Sequence, residues 1–413
     1  MNYTYLKKHP KLYKLLQQET VRQSEVVNLI ASENYVSPAV LEALGTIFTN
    51  KYAEGSAGHR YYSGTMVVDE LEGYVQKLVL KMFQLSDRSW GVNVQPYSGS
   101  PANFSVYAAL LQPGDRVLSL RLDHGGHLTH GHTASMTSKL WNFTHYHVDR
   151  NGRLDYDEIQ GLAQTHKPKL IVCGGTSYPG VIDFKRFSKI AKSVGAYLMV
   201  DASHIAGLIV GGAHPLPFPY ADVLTTTTHK TLRGPRGALV IARKSLADAV
   251  NKSIFPGLQG GPHLNTIFAM AVMAEEALTP GFKQYARQVV KNAKVFAEAL
   301  TTNGFKIISG GTETHLILVD VSTCDMSGKQ AADLLEQSGI IVNKNTIPYD
   351  SRKPWDPSGL RLGTPAVTTR GMKEKEMDRI ADFIKAVLID RVSPRKVKNQ
   401  VVTFTKRFPT WKS

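Results

Sequence analysis

The chain has 413 residues, with 49 Lys or Arg against 34 Asp or Glu and a formal net charge of +15. That length is ample for two domains and a large core, and no apolar run reaches the 18 residues expected of a membrane helix. The start, MNYTYLKKHPKLYK, lacks an apolar signal core, and two cysteines, Cys173 and Cys324, make no disulfide framework, so a cytoplasmic protein is expected.

Residues 1–28 read as a polar helical arm whose apolar face (Tyr3, Leu6, Leu12, Tyr13, Leu15, Leu16) is interrupted. From Asn28 to about Leu278, helix-like and strand-like runs alternate, the pattern of βαβ units around a sheet. DRVLSL, KLIVCGG, AYLMVDAS, DVLTTTT and GALVIAR are short, apolar or β-branched, and bounded by Gly, Pro or Asp. GFKQYARQVVKNAKVFAEALTTNG then reads as a long amphipathic helix closed by glycine. It leads into a smaller domain with HLILVDVS, the helix KQAADLLEQSG, the strand-like IIVNKN and a last helix, MDRIADFIKAVLI. The expected division is an arm (1–28), a large domain (29–278), a small domain (279–392) and a basic tail (393–413). Residues 391–413 hold seven Lys or Arg and no acid, interleaved with Phe404, Phe408 and Trp411. Such a tail suits RNA or another nucleic acid, or an anionic membrane surface; a tail packed on its own subunit or simply solvated is the plain alternative.

The most informative stretch is TTTTHKTLRGPRG, Thr225 to Gly237, which sets Lys230 in a polar loop after a strand-like run. A lysine so placed can hold pyridoxal phosphate as a Schiff base; a surface lysine in a turn is the plain alternative. Three needs of such a ring have candidates. Asp201 ends the run Ala196–Val200, where α/β sheets present ligand groups, and a carboxylate there could keep the pyridine nitrogen protonated; it could equally cap a helix. Ser98-Gly99-Ser100 before ANFSVYAALL suits an anion at a helix N-terminus, or a simple capping turn. HGGHLTHGH offers His124, His127, His130 and His132 as flat ring partners. Those histidines also suggest a metal, but the segment has no cysteine and its glycines favour close approach of backbone to a ligand, so no metal is expected.

The chain resembles serine hydroxymethyltransferase. The motifs that carry the resemblance are LIASENYVSP (29–38), YAEGSAGHRYYSG (52–64), QPYSGSPAN (95–103), DHGGHLTHG (123–131), VDASHIAGL (200–208), TTTTHKTLRGPRG (225–237), FPGLQGGP (255–262) and GLRLGTPAVTTRG (359–371). It implies the fold type I of pyridoxal phosphate enzymes: a mostly parallel seven-stranded sheet flanked by helices, and a smaller α+β C-terminal domain. It further implies a homodimer, or a tetramer of such dimers, with shared sites that act on serine, glycine and tetrahydrofolate.

The resemblance assigns roles residue by residue. Lys230 would carry the cofactor, Asp201 face the ring nitrogen, His127 stack on the ring, and His204 lie near the ring hydroxyl and the substrate. Ser98, Gly99, Ser100 and His229 would hold the phosphate, with Tyr52 and Gly261 reaching in from the neighbouring subunit. Thr176 stands where the family often has serine and belongs to the cofactor site. Arg361, helped by Ser32, would grip the substrate carboxylate, a task suited to a planar fork of donors. Glu54 and Tyr62 would act at the reacting hydroxyl and the folate; a Glu54 that merely pairs with Arg60 or Lys51 at the subunit contact is the plain alternative. Leu122, Gly126, His127, Leu128, Asn345, Lys353, Pro354 and Trp355 would line the tetrahydrofolate site.

The chain departs from the family's usual pattern at Ser56, Ala57, His59 and Ser63, at Tyr97 (commonly His), at Pro101 (commonly Gln) and at Leu258 (commonly Gly). None removes a charged or covalent group. Two rivals share these residues: a folate-independent β-hydroxy amino acid aldolase, separated by Glu54 and the 345–355 loop, and an RNA-binding protein acting through its basic tail, against which Lys230, Asp201 and Arg361 all stand.

Overall fold

The computed structural model describes residues 4–410; Tyr3 and Trp411 lie outside the described residues. A seven-stranded sheet organises the larger part of the chain. Its strands are β1 (Trp90–Asn93), β2 (Arg116–Leu120), β3 (Asn142–Tyr146), β4 (Leu170–Cys173), β5 (Tyr197–Asp201), β6 (Val223–Thr227) and β7 (Ala238–Arg243), in the spatial order β1-β7-β6-β5-β4-β2-β3. β7 runs antiparallel to both neighbours and the rest are parallel. Helices cover both faces, which explains why β4 (LIVC) is buried at all four positions and reads as an unbroken apolar run.

A second, four-stranded antiparallel sheet is built from β8 (Lys306–Ile307), β9 (Leu316–Asp320), β10 (Asn343–Asn345) and β11 (Gly359–Gly363), in the order β8-β9-β11-β10. Helix α1 (Pro10–Glu25) lies in the N-terminal arm and α2 (Gly99–Leu110) follows β1. The long helix α3 (Pro280–Thr302) starts where Thr279 accepts a hydrogen bond from the Phe282 amide and Pro280 fills the first turn. It buries Phe282, Ala286, Val289, Ala293, Phe296 and Leu300 at steps of three and four. Its first half packs in the core of the large sheet and its second half in a separate core under the small one, so it joins the two.

Two further helices close the small sheet: α4 (Glu374–Leu388) and α5 (Pro394–Thr405). The basic segment is therefore helical, and Val397, Val401 and Phe404 are buried at its i, i+4 and i+7 positions. Arg370, only 2% exposed, ties both ends of the polypeptide to this region. It donates to the carbonyls of Ser24 and Val26 just before and after the end of α1, and to those of Thr405 and Phe408 at the end of α5. No helix among the described residues is long and apolar enough to cross a membrane.

Candidate active site

The carboxyl ends of β5 and β6 bring Asp201 and the Lys230 loop together, as the topology of a parallel sheet directs. The loop is held by its own hydroxyls. Thr228 Oγ1 donates to the Pro235 carbonyl at 2.6 Å, and Thr231 Oγ1 donates to the His204 carbonyl at 3.0 Å. Gly234 admits no side chain, since a Cβ there would fall 2.6 Å from Met273. Asn34, 196 residues away in sequence, donates to the Lys230 carbonyl at 2.9 Å. Lys230 itself is half-buried, and burial lowers its pKa to about 8; Asp201 opposes that shift and Arg361 adds to it.

Asp201 is buried among donors. Asn103 Nδ2 lies 2.8 Å and His130 Nε2 3.1 Å from its Oδ2, and the Ser203 amide donates to Oδ1 at 3.1 Å. Burial alone would raise its pKa, but these bonds, that of His130 foremost, hold it well below the ordinary carboxylate range. The acid therefore stays ionised in a dry setting, as a partner for a protonated ring nitrogen must. Asn103 also accepts from Thr225 Oγ1 and donates to Thr129 Oγ1, which lies 2.7 Å from His127 Nδ1. Burial, then the nearby His130, lowers the His127 pKa to about 4, so its ring is neutral and suited to stacking.

The phosphate candidates meet beside the end of β6. The first amides of α2 have no partners within the helix, and the N-cap Ser98 makes no side-chain capping bond to them. Gly99 sits so close to Thr227 that a Cβ would lie 2.8 Å from its Cγ2. The Nδ1 of His229 is buried without a hydrogen-bond partner among the described residues. A helix N-terminus with free donors, a buried orphan nitrogen, an amine and an ionised buried acid fit pyridoxal phosphate end to end.

Arg361 projects from β11. Its Nη1 donates to the Thr176 carbonyl at 2.6 Å and its Nε to Asn343 Oδ1 at 3.1 Å. Among the described residues no carboxylate lies within ion-pair distance of it. Burial lowers its pKa to about 10, which leaves it charged at neutral pH. A buried guanidinium with no counter-charge calls for an anionic ligand. His204 Nδ1 faces His315 Nε2 at 3.2 Å, and burial keeps both rings neutral. Ser32 lines a cavity of about 390 Å³ with Asn34, His229 and Arg236.

Thr176 donates from Oγ1 to the Gly126 carbonyl at 2.7 Å, and Gly126 has no room for a Cβ, which would fall 2.1 Å from the Leu120 carbonyl oxygen. Leu122 is half-buried and Leu128 exposed. Asn345 directs its amide to the Thr346 carbonyl, and Lys353, Pro354 and Trp355 form an exposed loop with the Lys353 ammonium over the indole. Tyr349 anchors that loop, edge-on to His124 and donating to the Val148 carbonyl.

The remaining candidates form a second cluster. Tyr52 donates to Glu54 at 3.3 Å and packs against Tyr62 with ring centres 4.9 Å apart, and Gly261 abuts the Tyr52 ring. Tyr52 is 52% and Tyr62 45% exposed. No hydrogen bond, ion pair or ring contact among the described residues links these side chains to Lys230, Asp201 or Arg361. Within the chain Glu54 pairs with neither Arg60 nor Lys51: Arg60 binds Asp69 and Glu72, and Lys51 donates to the carbonyls of Tyr52 and Ser63. Asn103, His315 and Asn34 are the site's unforeseen members, and His130, named as one of four histidines that could face the ring, instead holds Asp201.

A family model described as serine hydroxymethyltransferase matches residues 6–384. A protein of Desulfotalea psychrophila (strain LSv54 / DSM 12343) named serine hydroxymethyltransferase is 49% identical over 403 residues, covering 97% of this chain and 94% of that protein.

Proposed function

Since the chain belongs to the serine hydroxymethyltransferase family, we propose that it interconverts serine plus tetrahydrofolate and glycine plus 5,10-methylenetetrahydrofolate with pyridoxal phosphate as cofactor. The observation that carries this reading is a set of three charged groups, two at the carboxyl ends of the large sheet's strands and one reaching toward them from the small sheet. They are the amine of Lys230 with a pKa of about 8, the ionised buried Asp201, and the guanidinium of Arg361, which has no carboxylate partner among the described residues. Bound pyridoxal phosphate supplies an electron sink for the pair left at an amino acid's α-carbon when a bond there breaks.

In this reading Lys230 holds the cofactor aldehyde, Asp201 its ring nitrogen and His127 its face. Ser98, Gly99, Ser100 and His229 hold its phosphate, and Thr176 shapes the wall next to His127. Arg361 and Ser32 bind the substrate carboxylate, which orients the bond to be broken. His204, kept neutral and backed by His315, sits toward the substrate. Glu54, with Tyr62, moves a proton at the serine hydroxyl oxygen. Leu122, Gly126, Leu128, Asn345 and the 353–355 loop bind tetrahydrofolate.

The same reading makes the protein a homodimer, alone or paired into a tetramer, in which Tyr52, Glu54, Tyr62 and Gly261 complete the site of the neighbouring copy. The exposed apolar side chains around that cluster, Ile47, Tyr61, Met66, Val67 and Tyr74, support it. The division into arm (1–28), large domain (29–278), small domain (279–392) and tail (393–413) is retained, as is a cytoplasmic location. A contact with RNA is supported by exposed Arg395, Lys396, Lys398, Lys406 and Arg407 near the exposed Lys7, Lys8, Lys11 and Lys14 of the arm. The decisive assay follows labelled serine through the purified protein loaded with pyridoxal phosphate. Transfer of the hydroxymethyl carbon must require tetrahydrofolate; cleavage equally fast without it would favour the aldolase.

A further inference from the structure

Three departures from the family's usual residues converge in space. Tyr97, Pro101 and Leu258 line one apolar cavity of about 490 Å³, with Phe104, Leu128 and Met136. They are thus one local change in the protein rather than three scattered ones, and Tyr97 has the most contacts to explain.

Tyr97 binds a single turn, residues 259–263, in three ways. Its amide donates to Gln259 Oε1 at 3.0 Å, and Gln259 Nε2 in turn donates to the Gln95 carbonyl at 2.9 Å. Its ring lies flat on His263, with centres 4.3 Å apart and planes 10° from parallel. Its hydroxyl donates to the Gly261 carbonyl at 2.8 Å. The other side of the turn is closed by the Tyr52–Glu54 pair. A Cβ at Gly261 would lie 3.2 Å from the Tyr52 ring, and one at Gly260 would lie 3.0 Å from Glu54 Oε1.

Two adjacent glycines have no side chains to fix them and lose more backbone freedom on ordering than any other pair. Something outside the turn must hold it. We propose that Tyr97 is a positioning residue whose phenol fixes the Gly260–Gly261 turn, against the Tyr52–Glu54 pair, in the form that meets the cofactor phosphate of the neighbouring copy. The inference rests on the reading above that Gly261 and Tyr52 reach that phosphate. A histidine at this position, the family's usual residue, keeps a ring over His263 but ends short of the Gly261 carbonyl. Burial, then the nearby Tyr52 and Glu54, raise the Tyr97 pKa, so the phenol remains a donor across the physiological range. Ser98, the next residue, is the N-cap of α2. Tyr97 therefore adjoins one candidate phosphate contact in sequence and holds another through space.

The test measures cofactor affinity, by equilibrium dialysis of pyridoxal phosphate, alongside the melting temperature of the cofactor-free protein. Tyr97→Phe keeps the ring stack and removes only the hydroxyl. It should raise the cofactor dissociation constant by roughly 2- to 12-fold, the size of one neutral hydrogen bond. The cofactor-free protein should melt within about 2 °C of the native one. Tyr97→His should weaken binding like Tyr97→Phe, because it too leaves the carbonyl unheld. Gly261→Ala serves as the reference for the turn itself. Unchanged affinity in Tyr97→Phe with weakened affinity in Gly261→Ala overturns the proposal and leaves the phosphate reading standing. Unchanged affinity in both removes the phosphate reading and the proposal with it. A lower melting temperature in Tyr97→Phe with no loss of affinity reduces Tyr97 to a packing residue and also overturns it.

Discussion

The Oδ2 of Asp201 and the Nε2 of His130 lie 3.1 Å apart in a buried pair, and Asn103 donates to that same oxygen. The acid is thus kept charged by donors of the same chain. Asp201→Asn should preserve the fold, because the amide oxygen can still accept from Asn103. Activity should fall by about 100-fold or more, the equivalent of two pKa units of ring protonation. Near-native turnover with a native circular dichroism spectrum would remove Asp201 from its role.

Lys230 has a pKa of about 8, below the ordinary 10.5. Its amine is protonated, and unable to attack an aldehyde, below that value. Capture of pyridoxal phosphate by cofactor-free protein should therefore speed up by about tenfold per pH unit on the acid side and level off above pH 8. Asp201 pulls this pKa upward, so in Asp201→Asn the curve should move to lower pH. Stopped-flow absorbance reads both, and a midpoint near 10.5 would contradict the assignment. Borohydride should fix the pyridoxyl group on Lys230, which peptide mapping checks.

Among the described residues Glu54 has no ion-pair partner; it accepts from Tyr52 and lies against the Gly260 turn. Under the proposed role, Glu54→Gln should retain serine binding and lose folate-dependent cleavage by at least roughly 100-fold, the scale of a positioned proton transfer. Serine affinity and rate measured on the same preparation separate the two effects.

The Lys230 and Glu54 clusters are separate within one chain, so an active site built from two copies makes a quantitative forecast. Lys230→Ala and Glu54→Gln chains, each inactive, should regain about a quarter of native activity when randomly mixed, since half the dimers are hybrids with one intact site in two. No recovery after confirmed subunit exchange would refute shared sites.

The basic segment calls for a gentler test than deletion. Phe404 packs against Phe383 and Phe408 in the core of the small sheet, and Phe404→Ala should cost about 3–5 kcal/mol of stability. Removing residues 393–413 would therefore confuse unfolding with lost binding. Changing Arg395, Lys396, Lys398, Lys406 and Arg407 to glutamine should leave the melting temperature nearly unchanged and lower RNA retention at low salt. Retention equal to native would end the RNA reading.

Much of this was visible in the sequence because it is local. The apolar run of β5 ends in Asp201, the threonines of β6 lead to Lys230, and Thr279-Pro280 opens α3; each is set by neighbours a few residues away. The groups that escaped notice are fixed at long range. Asn103 reaches Asp201 across 98 residues, His315 reaches His204 across 111 and Asn34 reaches the Lys230 carbonyl across 196. Nothing in a helix such as ANFSVYAALL marks its one asparagine as a ligand of a distant carboxylate. The basic segment is the opposite case. Its apolar spacing at Val397, Val401 and Phe404 is local and present in the sequence, and it decides between a packed and a solvated segment in favour of packing on its own chain.

Arg370 gives the small sheet a mechanical character. One guanidinium holds carbonyls at the end of α1 and at the end of α5, nine residues along the chain from Arg361. Release of either helix would strand a buried cation and loosen the other. The amides of these two helices should therefore open to hydrogen exchange as one cooperative unit with a single free energy, rather than fray independently from opposite ends.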